Sequence, residues 1–269
     1  MIIKKFMALA AGVALTLSMA ACGGKSESAA GGEKAKGDTF TVGFDAAFPP
    51  FGFKDDSGEY VGFDLELAQE VASRNGWEYK AQPIAWDAKD MELDSGTIDC
   101  IWNGFTITGR ESDYAWSKPY INNKIVFVVT AESGIKNVAD LAGKNVEVQA
   151  DSSGLAAMED PANAELVKSL AGYTTVPDYN TGLLDLESGG TQAVAMDQTV
   201  AQYQIKQRGE EKFTVIDPGF TGEEYGIGFK LGNEALRDQV QKTLDEMIAD
   251  GTFAKIAKKW GQQDVVIEK

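Results

Sequence analysis

Short apolar runs of strand length alternate with segments of helical period along nearly the whole chain from Phe40, and this alternation restricts the fold more than any other feature. Phe40, Val42 and Phe44 alternate with polar or small residues and stop at Asp45 and the breaker pair Pro49-Pro50. Asp64 is expected to cap a helix carrying Leu65, Ala68, Val71 and Ala72, which closes near Asn75-Gly76. Tyr79, Met91 to Leu93 and residues 98–101 continue the order strand, helix, strand. Such an order favours a mostly parallel sheet with helices on its faces.

A second unit begins after the run Ile-Val-Phe-Val-Val at 125–129, which reads as a strand buried on both faces. Strands are expected at Asn145–Gln149, 174–176, 192–196 and Phe213–Ile216, with helices at 155–158, 164–170, 183–187 and 199–207 between them. A strand near 225–229, a long amphipathic helix Glu234–Ala249 and a short helix bearing Phe253, Ile256 and Trp260 complete the chain. One internal echo links the units. Leu93-Asp94-Ser95-Gly96 precedes the strand leading to Asn103, and Leu186-Glu187-Ser188-Gly189 precedes the strand leading to Asp197. Each glycine sits where a helix needs a left-handed cap, so two lobes of similar build would present Asn103 and Asp197 across a shared cleft.

The N-terminal segment has another purpose. Lys4-Lys5, an apolar run from Phe6 to Leu17 and the small residues Ser18-Met19-Ala20-Ala21 have the three parts of an export signal. Cys22 followed by Gly23-Gly24 resembles the lipobox of bacterial lipoproteins, with Met19 where leucine is usual. That resemblance implies a signal peptide over 1–21 and lipidation of Cys22. Residues 22–37, rich in Gly, Ser, Ala, Lys and Glu, form the expected flexible tether holding a soluble body off the membrane. The only other cysteine, Cys100, falls within a strand and reads as a small buried hydrophobe.

The chain has a formal charge of −16 and no histidine, and loss of Lys4 and Lys5 with the signal lowers the charge by two, to −18. This surface repels nucleic acid and anionic lipid. Without histidine, imidazole metal sites and His-dependent nucleophiles are excluded. No metal, cofactor or catalytic residue is assigned, and the body is expected to be a monomer.

The run Trp-Asn-Gly-Phe-Thr-Ile-Thr-Gly-Arg at 102–110 is placed by this reading just past a strand's end, where open α/β sheets bind ligands. Arg110 offers a permanent charge and a fork suited to a carboxylate. With Arg110 and Asp197 on opposite walls, the cleft complements the carboxylate and ammonium of a free α-amino acid, each buried charge having a partner. Thr106, the backbone at Asn103 and Gly104, and Ser152 and Ser153 at a helix start add hydrogen-bonding groups. Phe48 and Trp86 would wall the aliphatic part of the ligand, and Asp45, Asn103 and Gln149 would meet a polar side chain.

Four motifs in order carry a family resemblance: residues 41–51 (Thr-Val-Gly-Phe-Asp-Ala-Ala-Phe-Pro-Pro-Phe), 61–65 (Val-Gly-Phe-Asp-Leu), Asn103 to Thr108 with Arg110, and residues 250–256 with Lys259-Trp260. Together they resemble the polar amino-acid-binding proteins of bacterial ABC importers, solute-binding family 3, over essentially all of 38–261. The resemblance implies a two-lobed periplasmic-binding-protein fold of type II with two hinge strands. Lobe 1 would take 38–124 and 225–269, and lobe 2 would take 125–224. By motif position Arg110 matches the carboxylate-binding arginine, Asp197 the ammonium-binding aspartate, Thr106 the hydroxyl ligand, and Phe48 with Trp86 the aromatic walls. The implied partners are a free amino acid, a membrane permease and, through the lipid, a membrane on its extracytoplasmic side, at the cell surface or the periplasmic face.

Two positions depart from the family pattern. Only Gly109 separates Thr108 from Arg110, where two residues are usual, and glycine supplies the backbone freedom to restore the arginine's reach. Asp151 replaces a common glycine, and its carboxylate would repel that of the ligand unless it turns outward to cap the helix. Two other functions fit the same scaffold: a sensor whose partner is a receptor, and a dehydratase-like enzyme using Asp45, Glu223 or Glu224 as general acid or base. Glutamine, cystine and basic amino acids all remain open as ligands.

Overall fold

The computed structural model describes residues 32–267. The expected signal peptide over 1–21 and Cys22 lie outside them. Two open mixed sheets carry the fold. In the first, Glu78–Pro83, Thr39–Phe44 and Cys100–Thr106 lie side by side and parallel, and Glu223–Phe229 joins antiparallel to Cys100–Thr106. Ala115–Trp116 and Ile121–Asn123 complete its far edge against Glu223–Phe229. The second sheet has the same plan, with Gly172–Val176, Asn145–Gln149 and Ala193–Asp197 parallel, then Ile125–Thr130 antiparallel to Ala193–Asp197, and Phe213–Ile216 antiparallel to Ile125–Thr130 at the edge.

The expected mostly parallel sheet is thus corrected to a mixed one in each half. The cause lies in the crossings. Ile121–Asn123 belongs to the first sheet and Ile125–Thr130 to the second, so the chain passes over at Lys124 and returns through residues 217–222. Each crossing delivers a strand that runs against its host sheet. Lys124 and Asp217 pair charges between the two crossings.

The local signals explain most elements. Helix Phe63–Asn75 buries Leu67, Ala68, Val71 and Ala72 on one face and ends at Gly76, whose left-handed backbone closes on Ala72 and Ser73. Its N-cap is Gly62 and not the expected Asp64, which is buried inside the first turn. Helix Glu234–Ala249 buries Leu236, Val240, Leu244 and Met247 at helical spacing. The echo glycines Gly96 and Gly189 both have positive φ, 76° and 82°, ahead of strands Cys100–Thr106 and Ala193–Asp197.

Two boundaries shift. Lys34, assigned to the tether, donates its backbone N–H to Gln239 at 2.9 Å and pairs its ammonium with Asp99, so the packed body begins before Asp38. Glu223 and Glu224, placed in lobe 2 by the sequence, pair with Asn123 and Asn122 in the first sheet. Apolar contacts run unbroken from Phe44 and Phe48 to Tyr179, Val194 and Val200, so the halves share a continuous core beside the crossings.

Gly62 shows how tightly the hairpin at 47–61 is packed. Its φ is 150°, and a Cβ there would stand 2.1 Å from the Phe51 carbonyl oxygen. Gly62→Ala is expected to lower stability in urea by about 3 kcal/mol, because backbone must move to relieve the clash. Gly143→Ala, at φ 72° in open space, should cost only about 1–2 kcal/mol. Equal losses would show that the crowding at Gly62 is not decisive.

Candidate functional site

Four polar residues stand at the carboxyl ends of parallel strands, the edge at which open α/β sheets take ligands. Asp45 follows Thr39–Phe44, Thr106 ends Cys100–Thr106, Gln149 ends Asn145–Gln149 and Asp197 ends Ala193–Asp197. Between the two sheets Phe48, Trp86, Gly104, Thr106, Arg110, Gln149, Ser152, Ser153 and Asp197 line one small, nearly closed cavity. Asp45 and Asn103 stand behind that lining. The Asp45 carboxylate accepts from the Ala47 N–H at 2.8 Å and from Gln149 Nε2 at 2.7 Å, and burial raises its pKa above the usual carboxylate value. Gln149 also donates to the Pro177 carbonyl, so its amide joins the two halves.

The strand Cys100–Thr106 is longer than the sequence suggested. Its antiparallel pairing with Glu223–Phe229 carries it through Trp102 and Asn103, and only residues 107–110 lie beyond its end. Asn103 is therefore a mid-strand residue, 1% exposed, with neither amide atom hydrogen-bonded among the described residues. Gly104 beside it has φ 58° and leaves room for the rings of Phe48 and Tyr225, which a Cβ would meet at 2.9 Å.

Arg110 reaches the cavity despite the one-residue spacing. Its N–H closes a turn on the Ile107 carbonyl with Gly109 at φ 83°, and its fork lies over the Phe105 ring. Nη1 donates to the Thr106 carbonyl and Nη2 to the Asp151 carbonyl, both at 3.3 Å. These long bonds leave the guanidinium well able to accept a stronger anion. Asp151 takes the left-handed backbone that glycine favours, φ 54°, and Trp86 Nε1 also donates to its carbonyl at 3.2 Å. Its carboxylate turns outward as required, but to Lys89 instead of to the helix. The cap is Ser152, which accepts from the Leu155 N–H. Lys89 is 1% exposed, lies against the Trp86 ring and pairs with Asp151 across the cleft mouth.

Asp197 is 2% exposed and heads helix Gln198–Arg208 without capping it through its side chain. Its carboxylate instead accepts from Tyr225 OH at 2.5 Å, Tyr179 OH at 2.8 Å and Asn123 Nδ2 at 2.6 Å. Asn123 also donates to Glu223 Oε1 at 2.5 Å, and Ser153 Oγ donates to the same oxygen at 3.3 Å. Burial, and then the neighbouring Asp197 charge, push the Glu223 carboxyl up to about 8. Burial raises Asp197 as well, against the hydrogen bonds of Tyr225 and Tyr179, which hold it down.

Residues 40–263 match the model of the bacterial extracellular solute-binding proteins, family 3. The chain belongs to that family. It is 33% identical over 230 residues to the L-cystine-binding protein TcyJ of Escherichia coli (strain K12), covering 84% of each chain. It is 29% identical to the arginine-binding extracellular protein ArtP of Bacillus subtilis (strain 168), covering 96% of this chain and 98% of that one. Among solved structures, a substrate-binding protein of an ABC uptake transporter from Streptococcus pneumoniae with bound histidine superposes with a TM-score of 0.81 at 34% identity, covering 85% of this chain and 94% of that one. The architecture is accordingly two-lobed, with two hinge crossings and a ligand cleft between the lobes.

In this family 3 member several groups at the site escaped sequence reasoning. Tyr179, Tyr225, Asn123 and Lys89 sit in ordinary helix and strand patterns, and no spacing marks them. Among the described residues no group of three or more His, Cys, Asp or Glu is placed to hold a metal ion. Beneath the cleft floor, Asp64 is fully buried and accepts from the Gly104 N–H at 2.6 Å and Tyr120 OH at 2.8 Å. Its second oxygen, Oδ1, has no partner among the described residues, and burial raises its carboxyl to about 7.

Two expectations follow. Asp64 holds its proton more tightly folded than unfolded, so its contribution to stability is complete below pH ~4 and is lost as pH rises through ~7. The stability of wild type relative to Asp64→Asn should therefore fall between pH 4 and 8, and parallel urea-denaturation profiles would contradict the assignment. Lys89→Met removes the partner of Asp151 and should raise amide hydrogen exchange at residues 86–90 and 149–153. No change there would mean that the pair does not hold the cleft shut.

Proposed function

We propose that this chain is the substrate-binding lipoprotein of an ABC importer, which captures a polar free amino acid outside the cytoplasmic membrane and delivers it to a membrane permease. The observation that carries the reading is that Arg110 and Asp197, one permanent cation and one buried acid, line a single cavity together with Thr106 and Ser153. A free amino acid has the complementary pair of charges. Arg110 would exchange two long bonds to backbone carbonyls for a bidentate contact with the ligand carboxylate. Asp197 and Thr106 would take the ammonium, with Phe48 and Trp86 flanking the stem of the side chain. Gln149 is the lining residue whose amide best suits a polar side chain.

The relatives bearing the names of cystine- and arginine-binding proteins, and the ABC transporter substrate-binding protein solved with bound histidine, support an amino acid as ligand and transport as purpose. Binding without turnover is the reading we favour over catalysis. Glu224 is exposed, Asp45 is committed to Ala47 and Gln149, and Glu223 is tied to Asn123 and Ser153. Lobe 1 would comprise the first sheet and its helices, lobe 2 the second, with Lys124 and residues 217–222 as hinges. Lipidation at Cys22 and a tether ending near Lys34 would keep this body at the membrane surface as a monomer.

A calorimetric panel of L-amino acids tests the reading. At least one polar amino acid should bind unaltered, and Arg110→Ala and Asp197→Ala should each weaken it by about 100-fold or more, the effect expected for losing a charge-assisted contact. Unchanged affinity in Arg110→Ala would sink the assigned role, and conversion of the ligand to a new product would favour an enzyme.

A further inference from the structure

The acid pair at the hinge does more than the single ammonium contact asks of it. Glu223 begins the strand that returns from the second crossing, and Asn123 ends the strand that enters the first. One amide nitrogen, Asn123 Nδ2, bridges the two carboxyls at 2.6 Å and 2.5 Å. Every element packed around the pair presents a neutral group. Tyr179 comes from helix Tyr179–Ser188, Tyr225 from the same strand as Glu223, Thr199 from helix Gln198–Arg208 by way of Asn123, Ser153 from helix Ser153–Glu159 and Thr106 from strand Cys100–Thr106. The nearest hinge cation, Lys124, is turned to Asp217, and Arg110 is held by the Thr106 and Asp151 carbonyls. Two buried carboxylates joined by one amide, and paired with no Lys or Arg among the described residues, cannot both carry charge at low cost.

We propose that Glu223 is a second acid of the ammonium subsite, that it shares one proton with Asp197 in the ligand-free protein, and that amino-acid binding expels this proton. The inference rests on the reading of the cleft as an amino-acid site. The incoming ammonium supplies the positive charge that the pair lacks, stabilises the doubly ionised form and drives the proton to solvent. The balance is simple: an O–H bond of the pair breaks, the electron pair stays on the carboxylate and water or buffer takes the proton. Burial and the mutual repulsion of the two acids put the Glu223 titration near neutrality, where the exchange becomes measurable. Because binding releases a proton, affinity rises with pH as long as the ligand-free pair still holds it, levels off above that titration, and falls once the ligand's own ammonium dissociates. The surrounding tyrosines stay protonated over this range, since burial pushes Tyr179 and Tyr225 well above their ordinary values.

Calorimetric titration with L-arginine, L-glutamine and L-cystine, in buffers of unequal ionisation enthalpy, counts the protons released. The wild type should release a proton, wholly or in part, near pH 7, with affinity rising severalfold per unit between pH 6 and 8 and never beyond the tenfold limit of one proton. Glu223→Gln should release none and bind with a flat pH profile, while Glu224→Gln, at the exposed neighbour, should keep the release. No proton released by the wild type, or equal release by wild type and Glu223→Gln, would overturn the inference while leaving the amino-acid site in place. Failure of all three ligands to bind would remove the reading of the cleft and the inference with it, a result distinct from binding without proton release. The wild-type proton count decides even where Glu223→Gln folds poorly.

Discussion

A carboxylate moved out of water costs several kcal/mol unless other donors replace its hydration, and the arrangement of this molecule turns on how Asp197 is supplied. Its donors come from three separate segments: Asn123 at the first crossing, Tyr179 on a helix of the second lobe, and Tyr225 on the strand that follows the second crossing. The lobes must approach for these bonds to coexist. The same bonds hold Asp197 on the wall of the cavity, so closure and charge placement have one cause.

The rest of the cleft follows the same rule, that buried or half-buried charge is answered across the gap between lobes. Asp45 takes Gln149, and Lys89 takes Asp151. The Asp151 carbonyl in turn meets Arg110 and Trp86. These contacts are polar and few, so they can close a cleft without locking it. Arg110 differs from the others in that, among the described residues, its guanidinium donates to backbone carbonyls alone, both at 3.3 Å.

Much of the architecture was legible because its signals are local. The run at 125–129 and the helices Phe63–Asn75 and Glu234–Ala249 are written in apolar spacing, and Gly76, Gly96 and Gly189 mark chain reversals that need positive φ. The list of cleft residues was legible for a different reason: strand ends face the cleft, and motif residues cluster at strand ends. Asp45 and Asn103 fall behind the lining because a residue's place in a strand does not state its depth once a neighbouring hairpin covers it. Asp64 looked like a helix cap because short acids usually are, whereas here the buried Gly104 N–H and Tyr120 hydroxyl outcompete the helix's own amides.

By itself the sequence determined the alternation of elements, the charges available for recognition and the family, because these depend on residue type and near-neighbour spacing. Tertiary structure alone decided that both sheets are mixed, that Lys89 answers Asp151, and that Glu223 and Asp197 share the amide of Asn123. Each of these joins residues tens of positions apart. Their pairing is set by where two chain crossings deliver strands, and no local pattern records that geometry.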